Sequence, residues 1–215
     1  MLIASNIDVE ASWQTLEDEA GYQQQHAGLR VWKSVDDLAR YRMAIETTRP
    51  EVLVETGTRW GGFAAWVADE YGIPVITVDV ERTEGRPDAW PRVRYVLGDS
   101  AAAETVAQVH ELVAGRRAMV SLDSDHTAPH VEREIAAYAP MVAVGCYLVV
   151  EDGLADLLTP ARARRLGRAI PERGGPMRAI RRQLFRRPGW RRGYLVENLS
   201  AISHSPAGWW IRTDS

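Results

Sequence analysis

Five short apolar runs, each ending on a carboxylate or a tight turn, constrain this chain more than any other feature. They span 52–55, 75–79, 93–97, 119–123 and 146–151, and helix-length segments at about 62–70, 102–113 and 129–138 fall among them. β-Branched runs of this length read as strands buried on both faces. Their alternation with helices predicts an α/β fold with a doubly wound, Rossmann-like, mostly parallel sheet. Ligands of such sheets bind beyond the carboxyl ends of the strands. The acids just past the last two runs, Asp123, Asp125, Glu151 and Asp152, are therefore the first candidates for chemistry, together with His126. Near the C-terminus, YLVENLSAISH and GWWIRT flank Ser205-Pro206-Ala207-Gly208, which predicts a closing antiparallel hairpin.

With 215 residues, 46% of them apolar, the chain can bury one core as a single globular domain. Residues 1–49 are expected to form a helical cap or arm and residues 50–215 the ligand-binding core. Within the arm, Leu38, Tyr41 and Ile45 recur at helical spacing behind Ser34 as a cap, and the helix should stop before Pro50. The first 30 residues show no clear period. No apolar stretch approaches the roughly 20 residues of a membrane span, and MLIASNIDVEASWQ lacks a signal-peptide pattern. A cytoplasmic protein with no membrane partner is expected. The lone Cys146 sits inside CYLVV and reads as a buried core residue.

Charge is divided unevenly. Residues 1–160 carry 13 basic against 26 acidic residues, whereas 161–215 carry 13 arginines against 3 acids. The arginines from Arg162 to Arg192 fall on two predicted helices and suit a solvated face, or a contact with the acidic half of a second subunit in a homodimer. Aromatic interleaving of the kind that stacks bases is missing, which argues against nucleic acid.

The segment VLVETGTRWGG runs from a strand into a glycine-rich turn and then a helix, an arrangement suited to a nucleotide-type cofactor. Its spacing departs from the dinucleotide fingerprint, because Gly57 is followed by Thr58 and Arg59 before Gly61 and Gly62. Glu55, just before Thr56 and Gly57, would repel a pyrophosphate but suits the amino group and sulfonium of S-adenosylmethionine. Asp79 falls where a carboxylate accepts both ribose hydroxyls, and Asp99 with Ser100 falls where an adenine edge is gripped.

Taken together, ETGTRWGG, VDVE, GDS, SLDSDH, VVEDG, GGP and the closing PAGWW resemble the cephalosporin hydroxylase/rhamnosyl O-methyltransferase family of class I methyltransferases, over about residues 50–213. The resemblance implies an enzyme that uses S-adenosylmethionine and Mg2+ to methylate a hydroxyl of a small molecule. Architecture in this group also resembles catechol O-methyltransferase. Carried over by position, that likeness implies Asp123, Glu151 and Asp152 as metal ligands, His126 as general base, and Asp123 also beside the cofactor. The resemblance includes rhamnosyl-type methylation, and adjacent sugar oxygens can chelate the ion, so a sugar is the preferred acceptor; the short, arginine-rich chain is further similar to methyltransferases that cap methylmannose oligosaccharides at the 1-hydroxyl.

The residue chemistry agrees with this. Magnesium takes hard oxygen ligands and leaves room for a substrate hydroxyl, and an alcohol needs both a lowered pKa and a base to become a nucleophile. Three alternatives stay open: a catechol-type or antibiotic-tailoring methyltransferase, a non-catalytic cofactor-binding partner of an oxygenase, and a nicotinamide-dependent oxidoreductase. Asp125 reads equally as a ligand or as a cap for the following helix. His130 is four residues from His126, but Pro129 places His126 ahead of the helix, so a shared zinc-binding face is not expected.

Overall fold

A computed structural model describes residues 6–18, 23–167 and 169–214. Its centre is a seven-stranded sheet of order β5-β4-β3-β6-β7-β9-β8. The strands are β3 (Val52–Thr56), β4 (Val75–Asp79), β5 (Val93–Leu97), β6 (Ala118–Leu122), β7 (Tyr147–Val150), β8 (Trp190–Arg192) and β9 (Trp209–Arg212). The first five pair in parallel, and β9 pairs antiparallel with both β7 and β8. The chain leaves β3 outward to β4 and β5, then returns to β6 on the other side. That reversal opens a crevice between the carboxyl ends of β3 and β6. Residues of β3, β6 and β7 are buried throughout, the polar Glu55, Thr56 and Ser121 at their carboxyl ends included.

The helices α3 (Gly62–Tyr71), α4 (Ala103–Val113) and α5 (Ala128–Tyr138) connect these strands, close to the ranges expected. The helix α2 (Val35–Thr48) starts on Ser34, whose side chain accepts from the Asp37 amide, and ends in a left-handed Arg49 before Pro50. The arm is only partly helical. Between α1 (Val9–Glu17) and α2 lies an antiparallel hairpin of β1 (Gln23–His26) and β2 (Leu29–Trp32). It presses on the start of α3, where a Cβ on Gly62 would lie 2.1 Å from the Arg30 carbonyl oxygen. Four residues per strand without alternating hydrophobicity left no period to find.

The C-terminal antiparallel pair is present, with a different partner from the one expected. Tyr194–Glu197 forms a short helix, and β9 pairs instead with Trp190–Arg192. Glu197 explains the change: fully buried, it accepts from Arg192 Nε at 2.7 Å, Arg192 Nη2 at 2.6 Å and the Ala207 amide at 2.6 Å. Satisfying that buried charge curls the segment away from the sheet.

Two helices, α6 (Pro160–Leu166) and α7 (Pro176–Gln183), carry much of the arginine-rich stretch. Arg168 lies outside the described residues. Part of this charge is answered within the chain: Arg162 contacts Glu10 and Glu17, Arg165 contacts Glu17, and Arg182 bonds Glu132 at 2.8 Å. No helix among the described residues is long and apolar enough to cross a membrane. Cys146 is buried in the core beside β7.

Candidate active site

A cleft of about 1030 Å3 opens over the carboxyl ends of the parallel strands. Glu55, Gly57, Thr58, Asp79, Asp99, Ser100, Asp123, His126 and Asp152 all line it, whereas Thr56, Gly61 and Glu151 stand behind its wall.

Gly57 leaves β3 with φ +86°, and a Cβ there would lie 2.0 Å from the Asp123 carbonyl oxygen. Glycine is thus required here by the contact of the β3 turn with the end of β6. The neighbouring Thr56 ties the same ends together, its carbonyl oxygen and Oγ1 both accepting from the Asp123 amide. Gly61 precedes α3 at φ +75°, in the left-handed region. Glu55 is buried and accepts from the Thr77 hydroxyl at 2.5 Å, and Thr77 also bonds Thr58 at 2.7 Å. Burial, with the charges of Asp123 and Glu151, outweighs nearby Lys33 and pushes the Glu55 carboxyl up to about 8. Asp79 closes β4 and accepts from the Arg59 amide at 2.8 Å. Asp99 accepts from the Ala101 amide at 2.8 Å, while the Ser100 side chain turns inward to donate to Glu134 at 2.6 Å.

At the ends of β6 and β7, Asp123, His126 and Asp152 converge, with a potential ligand atom of each within 4.8 Å of the others. His126 Nδ1 is 3.0 Å from Asp152 Oδ2, and Nε2 is 3.4 Å from Asp123 Oδ1 without forming a hydrogen bond. Asp152 is held at φ +54°, a backbone position that few side chains other than Asn and Asp accept. Burial pulls the His126 pKa down, but the carboxylates beside it, Asp152 first and then Asp123, overcome it, raising it to about 9. Asp125 accepts from the Thr127 amide at 2.8 Å, serving the turn into α5. His130 lies within α5, next to Ser100 at 3.0 Å, on a different element from His126.

Glu151 is engaged elsewhere. Its Oε1 accepts from Lys33 at 2.6 Å, Tyr41 at 2.5 Å and Ser121 at 2.8 Å. Lys33 also bonds Asp123 Oδ2 at 2.9 Å, and the Asp123 carboxyl stays low because Lys33 and His126 outweigh the penalty of its burial. Sequence reasoning missed Lys33, although one signal was available: it is the sole lysine in a chain with 25 arginines. Missed too was the aromatic wall. Trp13, Trp32 and Phe63 join Trp60 in lining the cleft, and the Trp32 and Trp60 rings lie 5.2 Å apart with Arg59 over both. Trp13 and Trp32 come from the part of the arm ahead of α2, in α1 and β2.

Comparison with known proteins places this geometry in a family. The rhamnosyl O-methyltransferase of Mycobacterium tuberculosis is 35% identical over 137 residues, 59% of this chain and 56% of the relative. That of Mycobacterium leprae is 31% identical over 133 residues, 58% of each. The chain thus matches little more than half the length of these curated relatives. Among solved structures, CmcI with magnesium and S-adenosylmethionine aligns at TM-score 0.59 and 22% identity, covering 89% of this chain and 77% of that one. An apo structure of CmcI aligns at TM-score 0.61 and 23% identity over the same shares. At such identities the likeness speaks for the fold. The family model described as Rhamnosyl O-methyltransferase/CmcI matches residues 19–213, and the chain belongs to that family.

Proposed function

We propose that this chain is a magnesium-dependent S-adenosylmethionine O-methyltransferase whose acceptor is a saccharide hydroxyl. The observation that carries the proposal is the meeting, in one cleft, of Asp123, His126 and Asp152 with the acids Glu55 and Asp79. Family membership and the names of the rhamnosyl O-methyltransferase relatives support both the reaction and the acceptor class. The residues fit the two groups the family implies. Carboxylates at adjacent strand ends are the hard donors that magnesium prefers, and His126 Nε2 is a buried polar atom with no hydrogen-bond partner. At the other end of the cleft Asp79 suits ribose hydroxyls, and Glu55, raised to about 8 in the empty site, would ionise beside a cationic cofactor.

When bound, magnesium would lower the pKa of an acceptor hydroxyl, and S-adenosylmethionine would supply an activated methyl group with a good leaving group. Asp123 and Asp152 would hold the ion; Glu151, also expected as a ligand, would stand behind them in its bonds to Lys33, Tyr41 and Ser121. Glu55 would face the cofactor's amino group and Asp79 its ribose. His126 would take the proton of the acceptor hydroxyl at a ring nitrogen. Asp123 and Asp152 hold the imidazole charged when nothing else neutralises them, so His126 can serve as a base only once their charge is answered. The cleft walls would hold the acceptor oxygen in line with the methyl group and exclude water. The Trp32 and Trp60 rings offer an apolar face to a sugar, and the 1-hydroxyl of a methylmannoside is the first acceptor to test.

Calorimetric titration tests the cofactor reading. S-adenosylmethionine is expected to bind the purified chain, and reduced nicotinamide cofactor is not. Binding of the nicotinamide alone would overturn the proposal in favour of an oxidoreductase.

A further inference from the structure

The chain from α7 to Leu199 presents a face unlike the rest of the molecule. Residues 176–195, PMRAIRRQLFRRPGWRRGYL, hold seven arginines and no acid. Arg182 pairs with Glu132 and Arg192 with Glu197, but Arg178, Arg181, Arg186, Arg187 and Arg191 have no acidic partner among the described residues. On α7, Met177, Ala179 and Ile180 are buried while Arg178 and Arg181 are exposed. Beyond it, Phe185, Tyr194 and Leu195 stand 47%, 56% and 74% exposed, and with Arg186 and Arg191 they line a cavity of about 620 Å3 beside β8, the last strand of the sheet. None of these residues lines the cleft over the parallel strands.

We infer that this face docks on a membrane surface of anionic phospholipid, with the arginines on the phosphate headgroups and Phe185, Tyr194 and Leu195 in the layer where headgroups meet acyl chains. Such contacts join exposed apolar side chains to basic ones and need no spanning segment, so the lack of a spanning helix among the described residues does not bear on them. Arg186 lies over the Phe185 ring at 5.5 Å and Arg192 over Tyr194 at 5.1 Å. A ring with a cation beside it matches an interface that is apolar on one side and anionic on the other. The distribution of charge orients the molecule. Residues 1–160 hold 26 acids against 13 bases and are repelled by the surface that draws the 13 arginines of 161–215. A second copy suits the face less well, because an isologous contact would set these unpaired arginines against their own copies. Nucleic acid would engage the arginines but leave Leu195 in water. Since the face shares no residue with the cleft, the inference is independent of the reaction proposed there.

The test is co-sedimentation of the full chain with vesicles of phosphatidylcholine alone and of an equal mixture with phosphatidylglycerol, with folding of each variant checked by circular dichroism. The wild type should partition to the mixture roughly tenfold or more above phosphatidylcholine, and less as salt rises. Arg186→Gln with Arg191→Gln should weaken that binding roughly 25-fold, about fivefold for each charge removed. Phe185→Ser with Leu195→Ser should weaken it roughly tenfold or more. Leu195→Ser alone, at the most exposed of these positions, decides if the pair does not fold. Absence of preference for the anionic vesicles would overturn the inference. So would serine variants that bind as the wild type does, because charge alone would then hold the protein. A dimer in analytical ultracentrifugation that Leu195→Ser dissociates would assign the face to a second copy, and tighter retention on a single-stranded oligonucleotide than on the vesicles would assign it to nucleic acid; either result overturns the membrane docking.

Discussion

Replacing Gly62 by alanine sets local preference against tertiary contact. Gly62 is the first residue of α3, and alanine is the better helix former by about 1 kcal/mol, so propensity alone expects a gain. The new Cβ would lie 2.1 Å from the Arg30 carbonyl oxygen, where real contacts do not fall below 3.0 Å, so β2 must retreat by about 0.9 Å. A shift of that size carried three residues along the hairpin takes the 2.6 and 2.9 Å bonds of Lys33 to the edge of hydrogen-bonding distance or beyond it. Separating a buried ion pair costs about 3–5 kcal/mol, which leaves a net loss of roughly 2–4 kcal/mol. For a chain of this size that lowers Tm by roughly 5–15 °C. Thermal unfolding gives the total, and hydrogen exchange of peptides spanning 23–33 and 52–56 locates it. The hairpin should lose protection while the sheet centre keeps most of its own. An unchanged or higher Tm with the hairpin fully protected would refute the reasoning and show that the arm adapts without cost.

Three further outcomes follow from the site and its supports. Asp79→Asn should weaken S-adenosylmethionine binding by roughly 10–100-fold in calorimetry, since hydrogen bonds to a charged group contribute about 1.5–3 kcal/mol; an unchanged Kd would remove Asp79 from the cofactor site. His126→Gln should lower kcat by about 10²–10⁴ while leaving cofactor affinity within a few-fold, as loss of a general base does. The buried Asp37 and His204 pair, 2.6 Å apart, gives a pH signature. Burial pushes the Asp37 carboxyl up, but His204 and Arg40 outweigh it and hold it at about 2, and Asp37 in turn raises His204 against its own burial. The aspartate's contribution is present above about pH 4 and lost as pH falls through 2; the histidine's is complete below about pH 6.5 and lost as pH rises through its raised value. Tm of the wild type should therefore fall on the alkaline side, and His204→Gln should flatten that limb; parallel limbs would contradict the assignment.

How far the sequence reached follows from where periodicity and chemistry were local. The buried strands and the helices between them were legible because each is a single uninterrupted pattern. Asp79, Asp123 and Asp152 were legible because an acid after such a strand has few places to go. The hairpin at 23–32 was not, since its strands of four residues each carry little pattern of their own while β2 packs closely on Gly62. For the same reason Lys33, Trp32 and Trp13 went unseen as parts of the cleft: they reach it through tertiary packing with groups distant in sequence, as Lys33 does with Glu151, 118 residues away. The Tyr194–Glu197 helix shows the same limit, because only the buried Arg192–Glu197 pair reveals why a strand-like segment coils.

The most direct test of the account is transfer of labelled methyl from S-adenosylmethionine to a panel of methylmannosides, rhamnosides and catechols, run with Mg2+, with chelator, and with Mg2+ restored. The account expects label on a saccharide hydroxyl, lost with chelator and regained with the ion. Transfer that ignores the chelator, or a chain that binds the cofactor yet methylates none of the panel, would contradict it.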